Sequence, residues 1–319
     1  MRILFVSDPL YVESEIYNAE GYANLPMLQA MPCELRIATT SQQARESISW
    51  ADIVLLESLR GVSFRDELMF LNDYDVFVGA FYCDVWRGPF WYQTQIHIDL
   101  NICVYRAVAL KLHQSWKEGA NFLWLPPRVD PVEHNEERPV DVVTWGARGR
   151  EYPYRNYTYF ALLGAIIDGT KAKMGSGITC NLISICGNEY AWYSIAGKRL
   201  KGPLYGAELL GVLSQCKICA TGPVIQHGIA SPVARYFENA AAGVVSITSY
   251  LDDGDDLGFK HGETVWDCGT EDFYPDINML CQEHELRKQM SRKATDLIAK
   301  RHSIDIRAME LYERLQGEF

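Results

Sequence analysis

One short stretch concentrates the groups best suited to chemistry: Ser231, Arg235 and Glu238, within SPVARYFENAAAGVVSIT from Ser231 to Thr248. Ser231 is a good helix N-cap and Pro232 suits the first helical position. Val233 to Ala242 therefore reads as a helix, closed by Gly243. Val244 to Thr248 is β-branched and apolar and reads as a buried strand. Such a helix start offers N–H groups and the positive end of a dipole to a phosphate or diphosphate, and Arg235 adds charge in the first turn. Glu238 lies one turn on, among small and apolar neighbours, where a carboxylate is costly unless a polar partner meets it. A ribose diol would be such a partner. An ordinary capped helix packed on a parallel sheet looks the same, because a helix start by itself specifies no ligand.

Other candidates are scattered along the chain. Asp84 sits in the aromatic cluster FYCDVWRGPFW. It suits a general base taking a proton from an acceptor hydroxyl, and equally a turn-forming or capping aspartate. Asp8 closes the apolar run RILFVS. Gly146, Ala147, Arg148 and Gly149 follow VDVVTW, where glycine lets the backbone approach a ligand and Arg148 and Arg155 could pair with a phosphate. A plain turn explains that loop as well. His227 lies in a loop from Thr221 to Ala230 that leads into the helix. His97 and Asp99 read as part of a helix running to about Leu112, without a shared face. Asp252, Asp253, Asp255 and Asp256 lack an ordered cation-ligand pattern. Cys216 and Cys219 fall three apart on a strand, so their side chains face opposite ways and do not chelate a metal.

These residues need a scaffold, and the pattern supplies one. Strands are expected at Arg2 to Ser7, Cys33 to Thr39, Asp52 to Glu57, Asp75 to Phe81 and Asn121 to Leu125. Helices are expected at Tyr22 to Ala30, at Gln42 to Trp50 with Ser41 as cap, and at Phe64 to Leu71. PPRVDP and the polar run His134 to Arg138 read as a linker. A second alternation follows: strand Val140 to Trp145, helix Tyr157 to Ile167, strand Cys180 to Ile185, helix Leu209 to Ser214 and strand Lys217 to Ala220. Leu286, Met290, Ala294 and Leu297 mark a long amphipathic helix, and Ile306 to Leu315 a final one that folds back on the first half. Alternating strands and helices predict α/β architecture, with open parallel sheets that bind ligands beyond their C-terminal strand ends.

At 319 residues, 48% of them apolar and 22% charged, the chain has globular composition and length for about two domains. MRILFVSDPL reads as a buried strand rather than a signal peptide, and no run reaches the ~20 apolar residues of a spanning helix. Nine cysteines without framework spacing suit a reducing interior. The expectation is a cytoplasmic protein. A formal charge of −11 speaks mildly against a nucleic-acid partner.

Two doubly wound halves joined by a proline-rich linker, with a phosphate-type helix start in the second, resemble the GT-B glycosyltransferases. FLWLPPRVDP resembles the segment that ends their first domain. DVVTWGARGREYPYR resembles the opening of the second domain in the spore-maturation (CgeB-like) group. YGAELLGVLSQCKICATG resembles that group's helix and strand before the donor loop, and RYFENAAAGVVSIT its donor helix. The tail from LGFKHGETV through LRKQMSRKATDLIAKRHSIDIR is similar to its C-terminal helices. The resemblance covers roughly Phe122 to Arg307.

It implies a GT-B enzyme of two Rossmann-like domains facing across a cleft. Residues 1–130 form an acceptor domain, 138–302 a donor domain, and helix 303–319 packs back on the first. Arg235 and the helix start (Ser231 included) would hold the diphosphate of a nucleotide sugar, and Glu238 the ribose. Gly146 and Arg148 would lie in the first loop facing the cleft, and Arg155 matches a family arginine. Many retaining members carry a second glutamate eight residues before the ribose glutamate; Ala230 stands there, which favours inversion. Inversion needs a base, Asp84 first and Asp8 second, with His227 stabilising the leaving phosphate. No cofactor or metal is expected, the nucleotide sugar being a co-substrate. The acceptor is a saccharide, a protein or a hydroxymethylated DNA base. Rival readings are a silent nucleotide-sugar-binding scaffold and an epimerase of the sugar nucleotide.

Overall fold

The computed structural model describes residues 1–13, 24–57, 62–82, 95–106, 121–133, 137–138, 140–145, 180–182, 194–195, 198–199, 206–226, 229–269 and 274–318. The chain divides into two compact units, Met1–Pro127 with Ile304–Phe319, and Arg128–Ser303.

The first unit is built on a six-stranded parallel sheet. Its strands are β1 (Arg2–Val6), β2 (Glu34–Ala38), β3 (Ile53–Leu56), β4 (Phe77–Tyr82), β5 (Leu100–Cys103) and β6 (Phe122–Trp124), in the order β2-β1-β3-β4-β5-β6. ILFV of β1 and IVLL of β3 are continuous apolar runs because both faces of the central strands are covered, as parallel sheets require. Helices α1 (Pro9–Glu13), α2 (Asn24–Ala30) and α3 (Ser41–Ser47) lie in the connections. The core joins Ile3, Phe5, Ile53, Leu55 and Phe81 of the sheet to Leu25 and Leu28 of α2.

Three local expectations are corrected in this unit. Thr40, not Ser41, caps α3: its hydroxyl accepts from Gln43 N at 3.2 Å, and Gln43 Oε1 accepts from Thr39 N at 2.8 Å. The segment expected as a helix at Phe64 to Leu71 is a 3-10 helix, Arg65–Asp73. The stretch after His97 is strand β5 rather than helix. Asp99 fixes it, exchanging backbone N for Val78 O at 2.8 Å while its Oδ2 accepts from Val78 N at 2.7 Å. His97 Nε2 lies 3.1 Å from Asp99 Oδ1, on the outside of this clamp.

The second unit carries β7 (Val140–Thr144), β8 (Cys180–Leu182), β9 (Ser194–Ile195), β10 (Lys198–Arg199), β11 (Cys216–Ala220), β12 (Val224–Gln226), β13 (Ile229–Ser231), β14 (Val245–Thr248) and β15 (Val265–Asp267). Five form a parallel sheet in the order β15-β14-β11-β7-β8, while β9 with β10 and β12 with β13 make separate antiparallel pairs. The expected loop from Thr221 to Ala230 therefore contains a hairpin. Its helices are α4 (Gly206–Leu213), α5 (Ala234–Ala241), α6 (Gly254–Leu257), α7 (Tyr274–Gln282) and α8 (His284–Leu297), the last running into a π-helical turn at Ile298–His302. Val142, Ile218, Val245 and Ile247 pack against Ile277 and Leu280 of α7 and Met290 of α8.

The last helix, α9 (Ile304–Gln316), belongs to the first unit. Ala308, Leu311 and Leu315, spaced for one helix face, enter that core, and Arg314 NH2 donates to Asn121 Oδ1 at 2.5 Å beside β6. Among the described residues no helix is long and apolar enough to cross a membrane.

Candidate functional site

In an open parallel sheet the ligand crevice lies beyond the carboxyl ends of the strands, where the strand order reverses. In the second sheet that point falls between β7 and β11, which pair Val142 with Ile218 and Val143 with Cys219. The chain leaves β7 at Trp145 and β11 at Thr221. Arg235, in the first turn of α5, is aimed at both. Its NH1 donates to Thr221 Oγ1 at 3.1 Å, and its guanidinium carbon lies 4.8 Å from the centre of the Trp145 ring.

Trp145 is itself pinned. Its indole N–H donates to Asn239 Oδ1 at 2.9 Å, and Asn239 Nδ2 donates to Ser246 Oγ at 2.9 Å. Arg235 and Asn239 are four residues apart on α5, so one helix face both points the guanidinium and holds the ring under it. Arg235 is only 4% exposed and Asn239 is fully buried. A cation that deep is tolerated because a hydroxyl and an aromatic face replace part of its water. Glu238, three residues after Arg235, is 8% exposed. A buried cation and a buried carboxylate thus sit one turn apart on a helix whose eight residues are all buried.

Ser231 is not the helix cap. It ends β13, and its hydroxyl donates to Asp253 Oδ2 at 2.6 Å, while Asp252 Oδ2 accepts from Ala230 N at 2.6 Å. The two aspartates bind the β12–β13 hairpin to the loop after β14. Pairing of Ile229–Ser231 with Val224–Gln226 keeps Ser231 extended and moves the helix start to Ala234. Val233 occupies the N-cap position with φ −85° and ψ 170°, and no side chain caps the helix. The positive end of α5 lies in the same turn as Arg235, and Val233 gives it no side-chain cap. Among the described residues no three His, Cys, Asp or Glu side chains are grouped to hold a metal.

The first sheet has its own reversal, between β1 and β3. Ser7 and Asp8 follow β1, and Glu57 follows β3, with Glu57 N donating to Val6 O at 2.9 Å. Asn24 Nδ2 donates to Glu57 Oε1 at 2.5 Å, and both side chains are buried. Asp8 is half-buried at this rim, and its carbonyl accepts from Val12 N at 3.3 Å.

Of the residues singled out from sequence, the structure brings Arg235 and Glu238 together on α5, gives Ser231 a structural partner and puts Asp8 at the first rim. Asp84, His227, Gly146, Arg148 and Arg155 lie outside the described residues. Four residues were missed. Trp145, Thr221 and Asn239 build the Arg235 setting, and Glu57 is a second acid at the first switch point. An acid ending an apolar run, as in DIVLLE, was a usable signal for Glu57; so was the four-residue step from Arg235 to Asn239.

Comparison with known proteins bears on the fold. Residues 170–313 match the family model described as glycosyl transferase-like. Among solved structures, Anabaena Alr3699/HepE in complex with UDP aligns with a TM-score of 0.62 at 10% identity, covering 99% of this chain and 100% of that one. A glycosyltransferase from Rickettsia africae aligns at 0.60 and 10% identity, covering 99% and 98%. TarM aligns at 0.55 and 13% identity, covering 82% of this chain and 54% of TarM. Curated protein sequences give no match. The fold is GT-B, with two Rossmann-like parallel sheets. The glycosyl transferase-like match covers under half of the chain, most of it within the second unit.

Proposed function

We propose that the protein moves a sugar from a uridine diphosphate donor to an acceptor hydroxyl, with inversion and without a catalytic metal. The observation that carries this is Arg235, held between Trp145 and Thr221 at the strand-order reversal of the second sheet, one turn before the buried carboxylate Glu238. In this reading Arg235 and the start of α5 bind the diphosphate, and Glu238 accepts hydrogen bonds from the ribose diol. The choice of uridine rests on Alr3699/HepE, solved with UDP and with UDP-glucose. The resemblance of the motifs quoted above supports a relation to the CgeB-like group.

In the reaction a base takes the acceptor proton, and the acceptor oxygen forms a bond to the anomeric carbon. The bond from that carbon to the diphosphate breaks, and UDP leaves with the electron pair. The guanidinium and the helix dipole stabilise the developing diphosphate charge, as a divalent cation does elsewhere. Asp84 is our first choice of base and Asp8 our second, with His227 donating to the leaving phosphate. Gly146, Arg148 and Arg155 add donor contacts from the segment after β7. The acceptor is a saccharide, a protein or a modified DNA base.

A thermal-shift panel of nucleotide sugars, with UDP release followed in the same wells, tests the reading. A uridine donor should raise the melting temperature by linkage and release UDP slowly. No response from any uridine donor would overturn the donor assignment. Binding without turnover would favour a silent scaffold, and conversion of the sugar nucleotide without an acceptor would favour an epimerase.

A further inference from the structure

The amino-terminal end of the second sheet, opposite the donor site, holds a pocket of about 240 Å³ lined by Arg138, Lys217, Arg287, Lys288 and Arg292, with Gly243 and Ser291 at its floor. Arg138 precedes β7, Lys217 lies early in β11, Gly243 precedes β14, and the other residues come from α8. Since β7, β11 and β14 run parallel, the length of one strand, roughly 15 Å, separates this pocket from Arg235.

The cationic heads are positioned rather than loose. Arg138 NH1 donates to Cys216 O at 2.7 Å. Arg287 NH1 donates to Leu280 O at 2.6 Å and to Cys281 O at 3.1 Å, and its NH2 lies 2.7 Å from His284 Nδ1. Ser291 Oγ donates to Gly243 O at 2.6 Å, tying α8 to the pocket floor. Among the described residues, Asp141 pairs with Lys217, and the exposed Glu285 lies 3.9 Å from Lys288. Five basic side chains thus line one concavity, Lys217 with its charge paired to Asp141. Burial, with help from the neighbouring Arg287 charge, brings the Arg138 guanidinium down to about 10, and burial lowers Arg287 as well. An anion in the pocket would relieve that repulsion.

Pockets for drug-sized ligands start near about 300 Å³, so this one suits a smaller occupant than a nucleotide sugar. From the convergent guanidinium and ammonium groups we propose that the pocket is a second anion site, taking a small solute that carries phosphate or diphosphate groups. Arginine forks and lysine point charges are the usual recognition chemistry for phosphate oxygens.

The test uses pyrophosphate titrated calorimetrically into the full chain, alongside Arg235→Ala to remove the donor-site contribution. The site predicts pyrophosphate binding that persists in Arg235→Ala and weakens about tenfold or more in Lys288→Glu/Arg292→Glu. Both substituted side chains lie at least partly in solvent, and Lys288→Gln/Arg292→Gln gives the same direction if charge reversal disturbs folding. Equal pyrophosphate affinity in folded double variants would overturn the proposal. So would no binding at millimolar pyrophosphate, or binding confined to vesicles of phosphatidylglycerol in phosphatidylcholine.

Discussion

Trp145 offers the sharpest internal test of the donor site, because two of its contacts can be removed separately. Trp145→Phe keeps an aromatic face under Arg235 but deletes the indole N–H that Asn239 Oδ1 accepts at 2.9 Å. Asn239 is fully buried, so its carbonyl loses a partner that water does not replace, a change of about 1–3 kcal/mol. Trp145→Ala removes the ring as well. Trp145 is only 7% exposed, so truncation leaves a cavity costing about 3–5 kcal/mol. The cation–π contact, about 0.5–2 kcal/mol, goes with it. Urea denaturation measures the stability losses, and UDP titration measures what happens to Arg235. Phe should bind UDP within a few-fold of the parent. Ala should bind about tenfold weaker or worse, since the ring face under the guanidinium is gone. If Phe weakens UDP as much as Ala does, the ring face is not what positions Arg235. If folded Ala binds UDP normally, Arg235 is not at the donor at all.

Other outcomes follow from separate parts of the structure. Gly258 ends α6 with φ +85°, and a β-carbon there would lie 2.6 Å from Leu297 Cδ1 and 3.1 Å from Arg301 NH1. Gly258→Ala should lower stability by about 1–3 kcal/mol in urea, from left-handed strain and overlap together. The Arg2 side chain, through its hydrogen bond, holds the Asp52 carboxyl below the usual carboxylate range. Its contribution is present above the unfolded value of about 3.9 and lost as pH falls through the lower folded value. Asp52→Asn should therefore flatten the acid limb of a pH–stability curve without changing its slope near neutrality. Burial, then the Asp141 charge, lifts the Cys281 thiol to about 11. Alkylation at pH 8 should find it about a hundredfold less reactive than an ordinary cysteine, and equal rates would contradict its half-buried setting.

Much of the architecture was legible because parallel sheets buried on both faces leave unmistakable runs, such as RILFV, DIVLLE and VDVVTW. Arg235 and Glu238 were legible for a local reason too, being charged groups on a short helix between a loop and a buried strand. Interactions between distant segments were not. Ser231 followed by proline has the local signature of a helix cap, but the Val224–Gln226 strand and Asp253, 22 residues on, claim its backbone and hydroxyl. The strand LNIC after His97 carries a polar residue mid-run, which hides it in a sequence reading. Asn101 is nonetheless buried there, its Nδ2 donating to Asn121 O at 3.2 Å. Trp145 and Asn239 stand 94 residues apart, and only the folded second unit brings indole and amide together.

The central claim is that α5 presents a diphosphate- and ribose-binding pair at the strand reversal of the second sheet. Calorimetric titration of UDP into the parent and into Glu238→Ala tests it most directly, with thermal unfolding run on both to confirm folding. The account predicts binding by the parent and at least about tenfold weaker binding by the variant, since two hydrogen bonds to a carboxylate are lost. Unchanged UDP affinity in folded Glu238→Ala would contradict it.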